Sequence, residues 1–168
     1  MLGLGSSVNS EEGYAKGERY RERWNDHLNA YHEANNPVGH DGYDYMGDFT
    51  KDADIDDWTE SSSSVTRAFN RMVITASGSN GNASIFFKTV PGVEYTLAFS
   101  IISISAGALI AQIGTEVGDG TYYNSGNVTS SGNISEDFTP TGTNACITLI
   151  VRTTGEHAVF DDFYLSET

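Results

Sequence analysis

From residue 47 to the C-terminus the chain is a succession of short runs in which apolar and polar residues alternate, set apart by turns bearing Gly, Pro and Asn. Tyr95, Leu97, Phe99 and Ile101 alternate with Thr96, Ala98 and Ser100. Ile147, Leu149 and Val151 share one face of a later run, and Val159, Asp161, Phe163 and Leu165 one face of the last. A period of two sends successive side chains to opposite faces of a pleated strand, so each run buries one face and shows the other to water. Nine such runs can be read, at 65–69, 72–76, 83–90, 95–101, 108–117, 121–128, 132–138, 144–153 and 158–165. With no helical period between them, they predict an all-β sandwich of eight or nine antiparallel strands. Asn80-Gly81 predicts a hairpin, and Pro91-Gly92 a type II turn. About 120 residues are enough for one hydrophobic core.

Residues 1–46 are of another kind. They carry three of the four His and six of the eleven Tyr and Trp residues. Residues 1–7 form a Gly/Leu/Ser arm without a period. Tyr20, Trp24, Leu28 and Tyr31 then recur at spacings of four, four and three, one stripe of an amphipathic helix over about 17–34. Pro37 biases Asn36 away from the helical region and ends it. Residues 39–47 read as a Gly/Tyr/Asp linker. A lone helix of this length is marginal in water, so its stripe must dock. Docking on the β domain and docking on a neighbouring subunit are equally open. The predicted organisation is therefore an arm, helix and linker in 1–46 and a β-sandwich in 47–168.

Several further stretches mark strands and turns. Gly47-Asp48-Phe49 and then Trp58 open the β half. The run from Lys88 through Pro91-Gly92 to Tyr95-Thr96-Leu97-Ala98-Phe99 lies in its middle. Phe138-Thr139-Pro140-Thr141 follows, and Phe160-Asp161-Asp162-Phe163-Tyr164-Leu165 closes it. This order resembles the jelly-roll domains of the carbohydrate-binding-module type grouped around families 4 and 9, which also recur in virion proteins of tailed phages. The likeness covers roughly 47–166, and the first five residues resemble the start of small structural proteins of such phages. It implies an eight- or nine-stranded jelly roll whose ligand lies on a strand face or at loop tips, against exposed aromatics. Tyr122 and Tyr123 are then the candidate glycan-binding residues. As neighbours on a strand they should point to opposite faces, so only one belongs to the core. Trp58 matches an early Trp that is mostly core. The likeness also implies a structural Ca²⁺ site between the first strand and a terminal Asp, for which Asp161 is the match and Asp48 a partner. No other cofactor is implied.

The chemistry legible in the residues is sparse. Nine Lys+Arg against 23 Asp+Glu give a formal charge of −14, which excludes a phosphate-neutralising surface and hence a nucleic-acid partner. No apolar run reaches 18 residues, so no membrane-spanning helix is expected. The first ten residues lack a basic and an apolar region of signal type. One Cys excludes an intrachain disulfide, and Cys146, beside Ala145 and Ile147, reads as a small buried hydrophobe. Asp52, Asp54, Asp56 and Asp57 suggest a calcium loop, but Asp57 and Ser63 stand where the EF-hand pattern needs Gly and Glu. A solvated acidic loop fits better. His27 and His32 are five apart, not the four that place two ligands on one helix face. No nucleophile motif is present and no pair of carboxylates stands out, so hydrolase activity is not expected.

These readings converge on a non-enzymatic virion structural protein. It would be a capsid decoration or cement protein with shell or tail partners, self-associating through Tyr20, Trp24, Leu28 and Tyr31. The alternative is a glycan-binding adhesion module. One exposed tyrosine would give only weak binding, about millimolar at roughly −4 kcal/mol, and the negative charge disfavours acidic polysaccharides.

Overall fold

The structure is a computed structural model and describes residues 45–47, 49, 53–105 and 107–168. Among these described residues eleven strands make two antiparallel sheets. They are β1 (Tyr45–Gly47), β2 (Thr59–Ser61), β3 (Ser63–Arg67), β4 (Met72–Ala76), β5 (Gly81–Lys88), β6 (Tyr95–Ile104), β7 (Leu109–Gly114), β8 (Tyr123–Asn124), β9 (Gly132–Phe138), β10 (Asn144–Val151) and β11 (His157–Glu167). One sheet has the order β3-β4-β11-β6-β9, with β1 pairing β11 beyond the end of β4; the other is β2-β5-β10-β7-β8. One helical turn, α1 (Ala53–Asp56), precedes β2. The two-sheet antiparallel sandwich expected from the alternation is present, with the architecture of a jelly roll.

The inward faces are those the period of two demands. Tyr95, Leu97, Phe99 and Ile101 of β6 meet Ala145, Ile147, Leu149 and Val151 of β10 in a single core. Aromatic rings join its parts. Phe163 stacks on Phe99 at 4.8 Å and 9°, and Trp58 meets the edge of Phe163 at 5.4 Å. Trp58 is therefore core, as expected. Gly92 takes φ +82, and Val93 N–H donates to the Val90 carbonyl at 3.2 Å, which is the turn expected at Pro91-Gly92.

Four expectations are corrected. Asn80 does adopt a left-handed φ of 57, yet Asn80-Gly81 closes no hairpin: β4 and β5 lie in different sheets. The turn carries the chain across the sandwich, and Gly81 is pressed so closely that a Cβ would lie 2.3 Å from the Ser62 carbonyl. Second, Val159 and Asp161 do not share a face with Phe163 and Leu165. Ala158 and Phe160 point inward, then a bulge with Asp162 at φ 52 shifts the parity, and Phe163 and Leu165 point inward. Third, the expected linker ends early, because Tyr45–Gly47 pairs with Gly47 opposite Phe163. Fourth, the stretch read as an acidic loop contains α1, although Asp56 and Asp57 are exposed as expected.

Candidate functional site

On β5 the inward residues are Ala83, Ile85 and Phe87, so Asn82, Ser84 and Phe86 point outward. On β10 the outward residues are Cys146, Thr148 and Ile150, and on β7 they are Ile110 and Gln112. Register lines them up, because directly opposed residues project to the same side. Ser84 faces Thr148, Thr148 faces Gln112, and Gln112 faces Asn124 of β8. Beside this polar row Asn82 faces Ile150, and Ile150 faces Ile110; on its other side Phe86 faces Cys146.

An outward sheet face normally meets water, but this one is recessed. Ser84 is 1% exposed, and Thr148 and Cys146 are 0%. Part of the cover is the segment after β7. A Cβ on Gly114 would lie 2.4 Å from Asp119, and Gly118 N–H donates to Thr148 Oγ1 at 3.0 Å. Asp119 shapes that segment: it accepts hydrogen bonds from the backbone and hydroxyl of both Thr115 and Thr121. These donors hold its carboxyl at about 2. Burial pushes the Cys146 thiol up, so it stands as a neutral thiol and not as a nucleophilic thiolate.

Two polar atoms on this face have no hydrogen-bond partner although they are buried, Asn82 Oδ1 and Gln112 Oε1. Buried amide oxygens are nearly always paired, so two orphans on one sheet face are unusual. Phe86 at the edge is 54% exposed. Neutral amides and hydroxyls beside an aromatic ring suit a ligand with many hydroxyls and an apolar flank. Sequence reading missed this set because Asn82, Ser84, Gln112 and Thr148 look like ordinary outward positions. The one available signal was Phe86, an aromatic in the outward phase of its strand.

The residues expected to carry function fall elsewhere. Tyr122 and Tyr123 are both half-buried and both pack against the core. The alternation argument fails because β8 is only Tyr123–Asn124, so Tyr122 lies before it. Tyr122 stacks on Phe138 at 6.1 Å and its hydroxyl accepts the Thr141 N–H at 3.1 Å. Asp161 accepts a hydrogen bond from Arg71 Nε at 3.1 Å, so its charge is already balanced by a guanidinium. Asp48, Tyr20, Trp24, Leu28 and Tyr31 lie outside the described residues. Among the described residues no group of three or more His, Cys, Asp or Glu could hold a metal ion.

The chain matches no protein-family model and no curated protein. Solved structures do resemble it. A CBM4 structure aligns at TM-score 0.52 and 14% identity over 73% of this chain and 97% of its own. The CBM22–GH10 modules of an endo-1,4-β-D-xylanase from Clostridium thermocellum, complexed with xylohexaose, align at 0.55 and 16% over 75% of this chain and 29% of theirs. A variant of a family 29 carbohydrate-binding module complexed with mannohexaose aligns at 0.52 and 9%, covering 74% and 91%. At such identities the likeness is one of fold: this chain has the two-sheet jelly roll of carbohydrate-binding modules.

Proposed function

We propose that this protein is a non-catalytic glycan-binding module that takes a neutral oligosaccharide on the outer face of its five-stranded sheet. The observation that carries this reading is the pair of buried, unpartnered amide oxygens of Asn82 and Gln112, on the face that also bears Ser84, Thr148 and the exposed ring of Phe86. A sugar hydroxyl is the donor such an oxygen lacks, and a ring face of the sugar can rest on Phe86. The fold likeness supports the reading, since two of the similar proteins were solved with xylohexaose and mannohexaose. The −14 charge favours a neutral ligand over an acidic one.

Isothermal titration with xylohexaose, mannohexaose and cellohexaose tests it. Binding to at least one is expected in the range of about 10 μM to 1 mM, equivalent to roughly −4 to −7 kcal/mol. Gln112→Ala and Phe86→Ala should each weaken it about tenfold, while Tyr123→Phe should leave it unchanged. Binding that survives Phe86→Ala and Gln112→Ala but is lost with Tyr122→Ala or Tyr123→Ala would move the site to the tyrosines. Absence of binding to any neutral glycan would end the proposal.

Attachment to a virion shell or tail, and self-association through Tyr20, Trp24, Leu28 and Tyr31, remain separate proposals that rest on residues 1–46. A displayed module of this kind is compatible with both.

A further inference from the structure

The loop from Thr115 to Gly120 leaves β7, turns back over the outer face of its own sheet and comes down again at Tyr122, whose N–H donates to the Ile113 carbonyl at 2.9 Å. Within itself it is cross-braced. Both oxygens of Asp119 are engaged by Thr115 and Thr121, and Asp119 N–H donates to the Glu116 carbonyl at 3.1 Å. Its hold on the strand beneath is slight by comparison. Among the described residues one hydrogen bond ties it to β10, from Gly118 N–H to Thr148 Oγ1 at 3.0 Å. Its apolar side chain, Val117, is 44% exposed, so only part of it is anchored by burial. At its ends it sits close to the strands, since a Cβ on Gly114 would lie 2.4 Å from Asp119 and one on Gly120 3.1 Å from Asn124, and between them the backbone turns through Gly118 at φ +78.

A segment that is stiff inside and tied to β10 by one neutral hydrogen bond can swing as a body. We infer that residues 115–120 form a flap, latched by Thr148, that opens to admit ligand to the β10 row of the outer face. The hydroxyl that holds the flap shut is the one a ligand hydroxyl would engage, so ligand and Gly118 compete for it. What enters rests on the glycan reading above; the motion itself does not, and it is tested without a glycan.

Cys146 supplies the readout. It lies beneath the flap, opposite Gly114, and is 0% exposed when the flap is shut. Thr148 and Asp119 both act on the titration of this thiol, so its rate of reaction with Ellman's reagent is taken from a full pH–rate profile of each protein in native buffer, and the limiting rate of the thiolate reports opening. Thr148→Val keeps the side-chain shape and removes the latch; Asp119→Ala removes the brace at a half-buried position. Thr148→Val should raise the rate by about five- to tenfold, the loss expected for one net hydrogen bond, and Asp119→Ala, which removes the acceptor of four, by at least as much, with urea midpoints showing that the fold persists. Unchanged rates in both variants would overturn the flap. So would rates that simply follow the global unfolding equilibrium in all three proteins. A working flap in a protein that binds no glycan would leave this inference standing and sink the glycan reading alone.

Discussion

Asp119 shows how much one side chain can organise. Four donors from Thr115 and Thr121 converge on its carboxylate and hold its titration at about 2. A folded-state value depressed below the ordinary one of 3.8 means that the loop's support is fully present above pH 3.8 and is lost as pH falls through about 2. Amide resonances of Thr115 and Thr121 should therefore hold their positions from pH 7 to 4 and shift together between about pH 3 and 2. In Asp119→Asn, which stays neutral throughout, that acid step should vanish. A transition centred near pH 4 would show that the carboxylate is not so engaged.

At the scale of elements, the β3–β4 hairpin contains an unusual choice. Ala68 and Arg71 exchange backbone hydrogen bonds at 3.0 and 3.1 Å around a two-residue loop, with Phe69 at φ 54 and Asn70 at φ 57. Two positive φ values are the mark of a type I′ turn, which suits the twist of paired strands and favours Asn and Gly. Phe69 meets that demand with a bulky side chain and is 97% exposed, so its ring contributes almost no burial in return. Phe69→Asn should relieve the left-handed strain and stabilise the protein by about 1 kcal/mol, read as a higher urea midpoint at unchanged slope. A destabilised variant would mean that the ring makes contacts the exposed tip does not suggest. The bulge at Asp161–Asp162 is the complementary case, a local irregularity that turns Phe160 and Phe163 to the same side of β11.

For the molecule as a whole, the pairing of Tyr45–Gly47 with β11 moves the start of the sheet ahead of residue 47. A chain of residues 44–168 should fold alone, with a β-type circular dichroism spectrum and a cooperative melt. Cutting four residues further in removes β1 and its ladder with Leu165, Tyr164 and Phe163. The 48–168 chain should melt lower, by on the order of 1–3 kcal/mol of stability for the lost backbone bonds and cover. Equal stability of the two would place β1 outside the cooperative unit. Light scattering of the full chain against 44–168 then asks whether residues 1–43 bring copies together.

What the sequence determined by itself is whatever a strand's own geometry enforces. A period of two is local, so the core faces of β4, β6 and β10, and the turn at Pro91-Gly92, are legible residue by residue. Trp58 and Cys146 are buried as their types suggest. Tertiary structure alone decided which strands share a sheet, and thereby made Asn80-Gly81 a crossing between sheets. It also decided that Tyr122 and Tyr123 both lie against the core, and that Ser84, Thr148 and Gln112 form one recessed row. The reason is physical. Alternation says that a residue points outward, but only chain returning from elsewhere decides whether outward means water. Here the returning chain is the loop stapled by Asp119, and its cover over Thr148 is a long-range contact that no local period encodes.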